Sequence, residues 1–136
     1  MVKMNVVYEG NLRCRLTHEQ SASVIVTDAP KDNMGKGEAF SPTDLVASAL
    51  ASCLVTVMAI AAGKYNIDLQ GLKVDIRKDM IISPVRRIGT INVDVHMPKG
   101  IPKDKRPLLE NIAFNCPVHK SLHPDVEALI RFDYSD

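Results

Sequence analysis

The longest uncharged stretch of the chain is the feature that most constrains its fold. Residues 45–62 carry no charged side chain over 18 positions, which is the minimum length of a membrane-spanning helix. However, the stretch is rich in alanine and contains Ser48, Ser52 and Thr56. A helix that is apolar on every side can equally form the buried centre of a soluble protein. We therefore expect a central core helix and no membrane association.

The residues just before this stretch have the pattern of a helix start. Ser41 suits the N-cap, Pro42 suits the first helical position, and Asp44 follows the cap by three residues, as in a capping box. Gly63, followed by Lys64, is a plausible stop. The sequence therefore predicts a helix that begins after Ser41 and ends at about Gly63.

Segments on both sides of this helix alternate apolar and polar side chains, the period-two pattern of strands. The predicted strands are residues 4–8, 11–17, 22–27, 72–76, 91–95 (extending to Met97) and 126–134. A polar loop is predicted at 28–40, a second helix at 104–114, and a short helix after Pro117. This order is typical of an α+β fold with segregated elements. We predict one such domain over residues 1–136.

Composition excludes several classes of function. The net charge of +1 provides no basic excess for binding phosphates, and an aromatic content of 4% without tryptophan disfavours base stacking. We therefore predict that the protein does not bind nucleic acid. The first residues lack the apolar core of a signal peptide, which places the protein in the cytoplasm. In that compartment a disulfide is more often transient and catalytic than structural.

Two of the three cysteines have no local sign of reactivity. Cys53 lies in the middle of the apolar helix, where a free cysteine usually acts as a small hydrophobic residue. Burial raises a thiol pKa, so a reactive Cys53 would need a cationic neighbour or hydrogen-bond donors. Cys14 stands between Arg13 and Arg15 on a predicted strand, and we expect it to be a core residue.

Cys116 has the better local setting for a reactive thiol. It precedes Pro117 and a short helical stretch, so it can occupy a helix N-cap. Backbone N–H groups and the helix dipole would then favour the thiolate, and a protonated His119 would help further. From local features alone, Cys116 is the thiol predicted to have the lower pKa. The alternative is a partly buried cap residue without chemistry.

The same region also has metal-like spacing. Cys116, His119 and His123 give the pattern C-x-x-H-x-x-x-H. A structural zinc site normally needs four ligands, and the sequence has no second pair with suitable spacing. We therefore predict no metal and no cofactor, with both histidines facing solvent. A zinc-binding module is the least favoured alternative.

Two segments taken together resemble a known family. The segment SPTDLVASALASC at 41–53 and the segment NCPVHKSL at 115–122 are similar to the two signature cysteine motifs of the OsmC/Ohr family, named for osmotically inducible protein C and organic hydroperoxide resistance protein. The element order extends the resemblance over the whole chain. The resemblance implies an α+β, OsmC-like intertwined homodimer, in which two long apolar helices are wrapped by antiparallel sheets. Its active sites would lie at the subunit interface.

The resemblance also implies a chemistry. Cys53 matches the peroxidatic cysteine, which attacks an organic hydroperoxide and becomes a sulfenic acid. Cys116 matches the resolving cysteine, which converts that acid to an intrasubunit disulfide. A dithiol reductant would restore both thiols, and in organic-hydroperoxide members it is a lipoyl protein.

The supporting residues match the family less completely. The family arginine corresponds by position to Arg13, with Arg15 and Lys36 as alternatives for the cation near the thiolate. The family glutamate corresponds to Thr43, and the acidic residue comes one place later, at Asp44, about 100° further around the helix. Asp44 could therefore serve the thiol or only cap its helix.

Two functional hypotheses follow from this match. The first is thiol-dependent reduction of organic hydroperoxides in oxidative-stress defence, with Cys53, Cys116, Arg13 and Asp44 as site residues. The second, which the departure at Thr43 motivates, is an OsmC-like dimer that binds a small apolar or electrophilic ligand without peroxidase turnover.

Overall fold

The computed structural model describes residues 1–135, which form two compact units with a boundary after Val46. In chain order the elements are β1 (Met4–Gly10), β2 (Arg13–His18), β3 (Ser23–Asp28), α1 (Pro42–Gly63), β4 (Lys73–Ile81), β5 (Arg87–Met97), α2 (Arg106–Phe114), α3 (Pro117–Ser121) and β6 (Glu127–Tyr134). Each predicted helix and strand is present. The α+β fold class is therefore confirmed.

The N-terminal unit contains an antiparallel sheet in the order β1-β2-β3. Its first hairpin turns at Asn11, whose φ of 55° lies in the left-handed region that asparagine tolerates better than most residues. Cys14 lies on the central strand opposite Tyr8 and Thr27. It is half-buried, so it is less enclosed than the core residue we expected.

Helix α1 begins with the predicted capping box. The Ser41 hydroxyl accepts from the Asp44 N–H at 3.1 Å, and an Asp44 carboxylate oxygen accepts from the Ser41 N–H at 2.9 Å. These reciprocal bonds satisfy two backbone donors that a helix start would otherwise leave unpaired.

The same helix has the length and apolar character of a membrane span, with a mean hydropathy of 2.3 over its most apolar window. One side of it nevertheless forms the core of the C-terminal unit, where Leu50, Leu54 and Met58 are fully buried. Buried residues from the rest of that unit complete the core: Leu69, Ile91, Val93, Val95, Met97, Ile101, Leu109, Ala113 and Cys116. The role predicted for residues 45–62 as a core helix agrees with this packing.

The second sheet has the order β4-β5-β6 and is not antiparallel throughout. Strands β4 and β5 form an antiparallel hairpin, whereas β6 runs parallel to β5, with Val93 opposite Ile130. The expectation of antiparallel sheets is thus wrong for this last strand. Parallel neighbours need a long crossover connection, and the segment that contains α2 and α3 provides it. Cys116 lies in this crossover.

Candidate functional site

The two motif cysteines meet in the C-terminal unit. Cys53 is half-buried on α1, and Cys116 is fully buried at the junction of α2 and α3. The two thiols are close enough for Cys53 to raise the pKa of Cys116, although the residues are 63 positions apart in the sequence. All three cysteines are reduced in this structure. The arrangement therefore places two thiols where a disulfide can form between them after a small movement.

Cys116 is the N-cap of α3, as predicted. Its backbone is extended, with φ −67° and ψ 150°, and its sulfur accepts from the His119 N–H at 3.4 Å. The backbone N–H of Val118 also favours the thiolate, because it lowers the pKa of Cys116. The sulfur thus takes the place that a serine or aspartate oxygen usually has at a helix start.

The pKa of Cys116 is nevertheless higher than that of an ordinary thiol. Burial is the largest cause, the N–H groups of His119 and Val118 oppose it, and the neighbouring Cys53 raises the pKa further. The expectation that the helix cap would favour the Cys116 thiolate is therefore wrong, because desolvation outweighs the cap and raises the pKa of Cys116. A Cys116 thiol that keeps its proton can donate a hydrogen bond to the Cys53 sulfur.

The two histidines after Cys116 have different surroundings. The His119 ring is half-buried, and its Nδ1 donates to the Phe114 carbonyl at 2.6 Å, because a carbonyl oxygen can only accept. His119 is thus only partly exposed to the solvent that we expected it to face. His123 is exposed, as expected, beside Asp125. Within residues 1–135, no group of three or more histidine, cysteine or acidic side chains is arranged to hold a metal ion.

Arg13, the first candidate for the supporting cation, lies on β2 in the N-terminal unit. It is directly opposite Asp28 of β3, and its Nε is 4.0 Å from an Asp28 carboxylate oxygen. The Asp28 side chain is only 2% exposed, and its other oxygen accepts from the Glu38 N–H at 2.9 Å. Sequence reasoning missed Asp28, because it assigned this residue to the loop at 28–40, whereas β3 extends to Asp28.

The two alternative cations have different positions. Arg15 is an exposed residue that forms an ion pair with Glu9 at 3.0 Å. Lys36 is exposed in the loop between β3 and α1. Of the three cations, Arg13 is therefore the one that lies beside a buried carboxylate. Asp44 also belongs to the N-terminal unit, in the first turn of α1, where its carboxylate caps the helix.

Comparisons with known proteins agree with these features. The family model of OsmC-like proteins matches residues 35–129. A solved structure from Psychrobacter arcticus, described provisionally as an osmotic stress induced and detoxification response protein, is 40% identical, with a TM-score of 0.92 over 98% of this chain and 96% of that chain. No curated protein matches the sequence.

Two more distant structures share the fold. An organic hydroperoxide resistance protein OsmC from Legionella pneumophila is 15% identical, with a TM-score of 0.77 over 98% of this chain and 96% of its own. The organic hydroperoxide resistance protein OhrB of Bacillus subtilis is 18% identical, with a TM-score of 0.72 over 98% of both chains. At these identities the likeness concerns the fold alone.

Proposed function

The chain belongs to the OsmC/Ohr family, and on that premise we propose that it is a cytoplasmic, homodimeric, thiol-dependent reductase of organic hydroperoxides. The observation that carries this proposal is that the Cys53 and Cys116 thiols lie close enough together for Cys53 to raise the pKa of Cys116. Family members from Legionella pneumophila and Bacillus subtilis are organic hydroperoxide resistance proteins, which supports the same substrate class.

In the first step, the Cys53 thiolate attacks the distal oxygen of the hydroperoxide. The O–O bond breaks, Cys53 becomes a sulfenic acid, and the alkoxide takes a proton and leaves as an alcohol. Two observations favour Cys53 as the attacking residue. It is partly exposed, whereas Cys116 is fully buried, and the raised pKa of Cys116 keeps that thiol protonated.

In the second step, the sulfur of Cys116 attacks the sulfur of the sulfenic acid. An S–S bond forms, the S–O bond breaks, and the hydroxyl leaves as water with the proton that Cys116 releases. The contact between the two thiols supports a fast step, because little chain movement is needed. A dithiol, such as a lipoyl group of a partner protein, then exchanges with the disulfide and restores both thiols.

Arg13 is the residue that we propose as the cationic support of the Cys53 thiolate. Its guanidinium lies beside the buried Asp28 carboxylate, which limits the positions it can take. Asp44 has a second, indirect role in this proposal. Its carboxylate fixes the first turn of α1, the helix that carries Cys53.

The homodimer is supported by apolar surface that a single chain leaves exposed. One stripe of α1 is exposed at positions spaced three or four apart: Val46, Ala49, Ser52, Thr56, Ala59 and Ile60. In the N-terminal unit, β1 exposes Met4, Val6, Val7 and Tyr8. Apolar surface on this scale usually marks an interface, and small residues let two helices approach closely.

The decisive experiment compares Cys53→Ser with Cys14→Ser. Consumption of cumene hydroperoxide in the presence of dihydrolipoamide should be abolished by Cys53→Ser and retained by Cys14→Ser. One equivalent of peroxide should also remove two of the three free thiols of the wild type. Unchanged turnover in Cys53→Ser would overturn the proposal.

The second candidate function is binding of a small apolar or electrophilic ligand without turnover. It is favoured by Thr43 at the position of the family glutamate and by the use of the Asp44 carboxylate as a helix cap. In this case peroxide would remove no thiols. A long-chain aldehyde or fatty acid would instead bind to wild type and Cys116→Ser alike in a calorimetric titration, and an absence of binding across such a panel would count against it.

A further inference from the structure

Two hydrogen bonds of His119, which we call the His119 clasp, hold the segment around Cys116. The two-cysteine chemistry gives this clasp no role. One of these hydrogen bonds goes to Cys116 itself, and the other goes to Phe114, which precedes Cys116 in the chain. The His119 backbone N–H donates to the Cys116 sulfur at 3.4 Å, and its ring Nδ1 donates to the Phe114 carbonyl at 2.6 Å. Phe114 is the last residue of α2, whereas His119 is the third residue of α3. The imidazole therefore ties together the two helices between which Cys116 lies.

Both ends of this clasp are anchored. The Phe114 ring packs edge-on against Phe132 of β6, with the ring centroids 5.9 Å apart. On the other side, Lys120 donates its backbone N–H to the Cys116 carbonyl at 3.0 Å. Because α3 has only five residues, it has little intrinsic stability, and the imidazole bond is one of the contacts that hold its orientation.

We propose that His119 is the positioning residue of the resolving thiol: its ring holds the Cys116 turn so that the Cys116 sulfur faces Cys53. The inference rests on the proposed function, because it concerns the step in which Cys116 attacks the Cys53 sulfenic acid. The imidazole ring donates to the Phe114 carbonyl, whereas it is the backbone N–H of His119 that donates to the Cys116 sulfur. The ring therefore positions Cys116 and takes no part in the making or breaking of covalent bonds. Loss of the ring bond should slow disulfide formation while the attack of Cys53 on peroxide proceeds.

The test is a competition between disulfide formation and dimedone, a reagent that traps sulfenic acids. Reduced protein receives one equivalent of cumene hydroperoxide with dimedone present, and mass spectrometry measures the ratio of the Cys53–dimedone adduct to the Cys53–Cys116 disulfide. His119→Ala and His119→Phe, which lack the donor, should shift this ratio toward the adduct by about fivefold, the effect of losing one ordinary hydrogen bond. His119→Asn, whose side-chain amide can still donate to the Phe114 carbonyl, should restore a ratio close to that of the wild type.

Each outcome separates this inference from the proposed function. A wild type that forms neither adduct nor disulfide removes the proposed function itself. A wild type that forms the disulfide, with the same ratio in His119→Phe, overturns the role of His119 alone. An equal slowing of peroxide consumption and of disulfide formation, without rescue by asparagine, would mean that the ring only maintains the fold. Should His119→Ala not fold, the comparison of phenylalanine with asparagine still decides the question.

Discussion

The Cys116 thiol lies beside the Cys53 thiol, and its sulfur also caps a helix. These two contacts have opposite effects. Backbone N–H groups at the cap lower the pKa of Cys116, whereas burial and the neighbouring Cys53 raise it, and the raising effects prevail. The pair therefore consists of a protonated, enclosed thiol beside a partly exposed one. This difference in protonation and exposure agrees with the proposed order, in which Cys53 reacts first with the peroxide and Cys116 reacts second with the sulfenic acid.

The raised pKa of Cys116 predicts that stability falls in alkaline solution. Below about the ordinary thiol pKa of 9.0, both folded and unfolded chains keep the proton, so this group adds no pH dependence. Above it, the unfolded chain loses the proton first, and the free energy of unfolding falls by up to about 1.4 kcal/mol per pH unit. Urea titrations between pH 8 and pH 10.5 measure this slope.

Two cysteine variants test that slope. Cys116→Ser should flatten it, because the titrating group is gone, whereas Cys14→Ser should retain the slope of the wild type. Identical slopes for Cys116→Ser and the wild type would contradict a raised pKa at Cys116.

The capping box predicts a specific ranking of substitutions at Ser41. Alanine removes the hydroxyl that accepts from the Asp44 N–H, and it should lower the free energy of unfolding by about 1 kcal/mol. Glycine also lacks the hydroxyl, but it is a favoured N-cap residue, and its cost at an N-cap is a few tenths of a kcal/mol. Urea denaturation of both variants gives the comparison. A larger loss for glycine than for alanine would show that Ser41 contributes by packing instead.

The helix that begins at this cap illustrates what the sequence could predict. Ser41, Pro42 and Asp44 are local signals of a helix start, and the uncharged run after them predicts a helix that is apolar on every side. Similarly, the N-cap position of Cys116 follows from its neighbour Pro117. Features of this kind depend on a few adjacent residues, so they can be recognised without the tertiary structure.

Other features depend on residues that are distant in sequence. The parallel pairing of β6 with β5 depends on how the α2–α3 crossover returns. The raised pKa of Cys116 depends on burial by the folded core, and no local pattern reports burial. The His119 ring donates to the backbone carbonyl of Phe114, a group that every residue has, so the residue type at position 114 does not indicate this bond. Side-chain spacing therefore gave no sign of that contact.

Gly35, in the loop before α1, is a position where the addition of one methyl group should strongly lower the stability of the fold. A Cβ atom on Gly35 would lie 1.7 Å from the carbonyl oxygen of Ala29, a backbone atom that cannot move aside easily. Gly35→Ala should therefore destabilise the protein by about 2 kcal/mol or more. Gly63→Ala is the matched control, because a Cβ there meets no atom within 4 Å and alanine favours the helix. Thermal unfolding should show a lower Tm for the first variant and an equal or higher Tm for the second.

The exposed stripe of α1 predicts where a charge should break the proposed homodimer. Ile60 lies on this stripe and is 63% exposed in the single chain, whereas Ile82 lies outside it, between β4 and β5, and is 77% exposed. An arginine at position 60 would bring an unpaired charge into a helix–helix contact, which costs several kcal/mol. The same change at position 82 would leave the charge in water. Sedimentation velocity should therefore find a dimer for the wild type and for Ile82→Arg, and a monomer for Ile60→Arg. Because both changes add the same charge to an exposed isoleucine, a dimer in both variants would exclude the α1 stripe as the contact, and a monomeric wild type would exclude the homodimer.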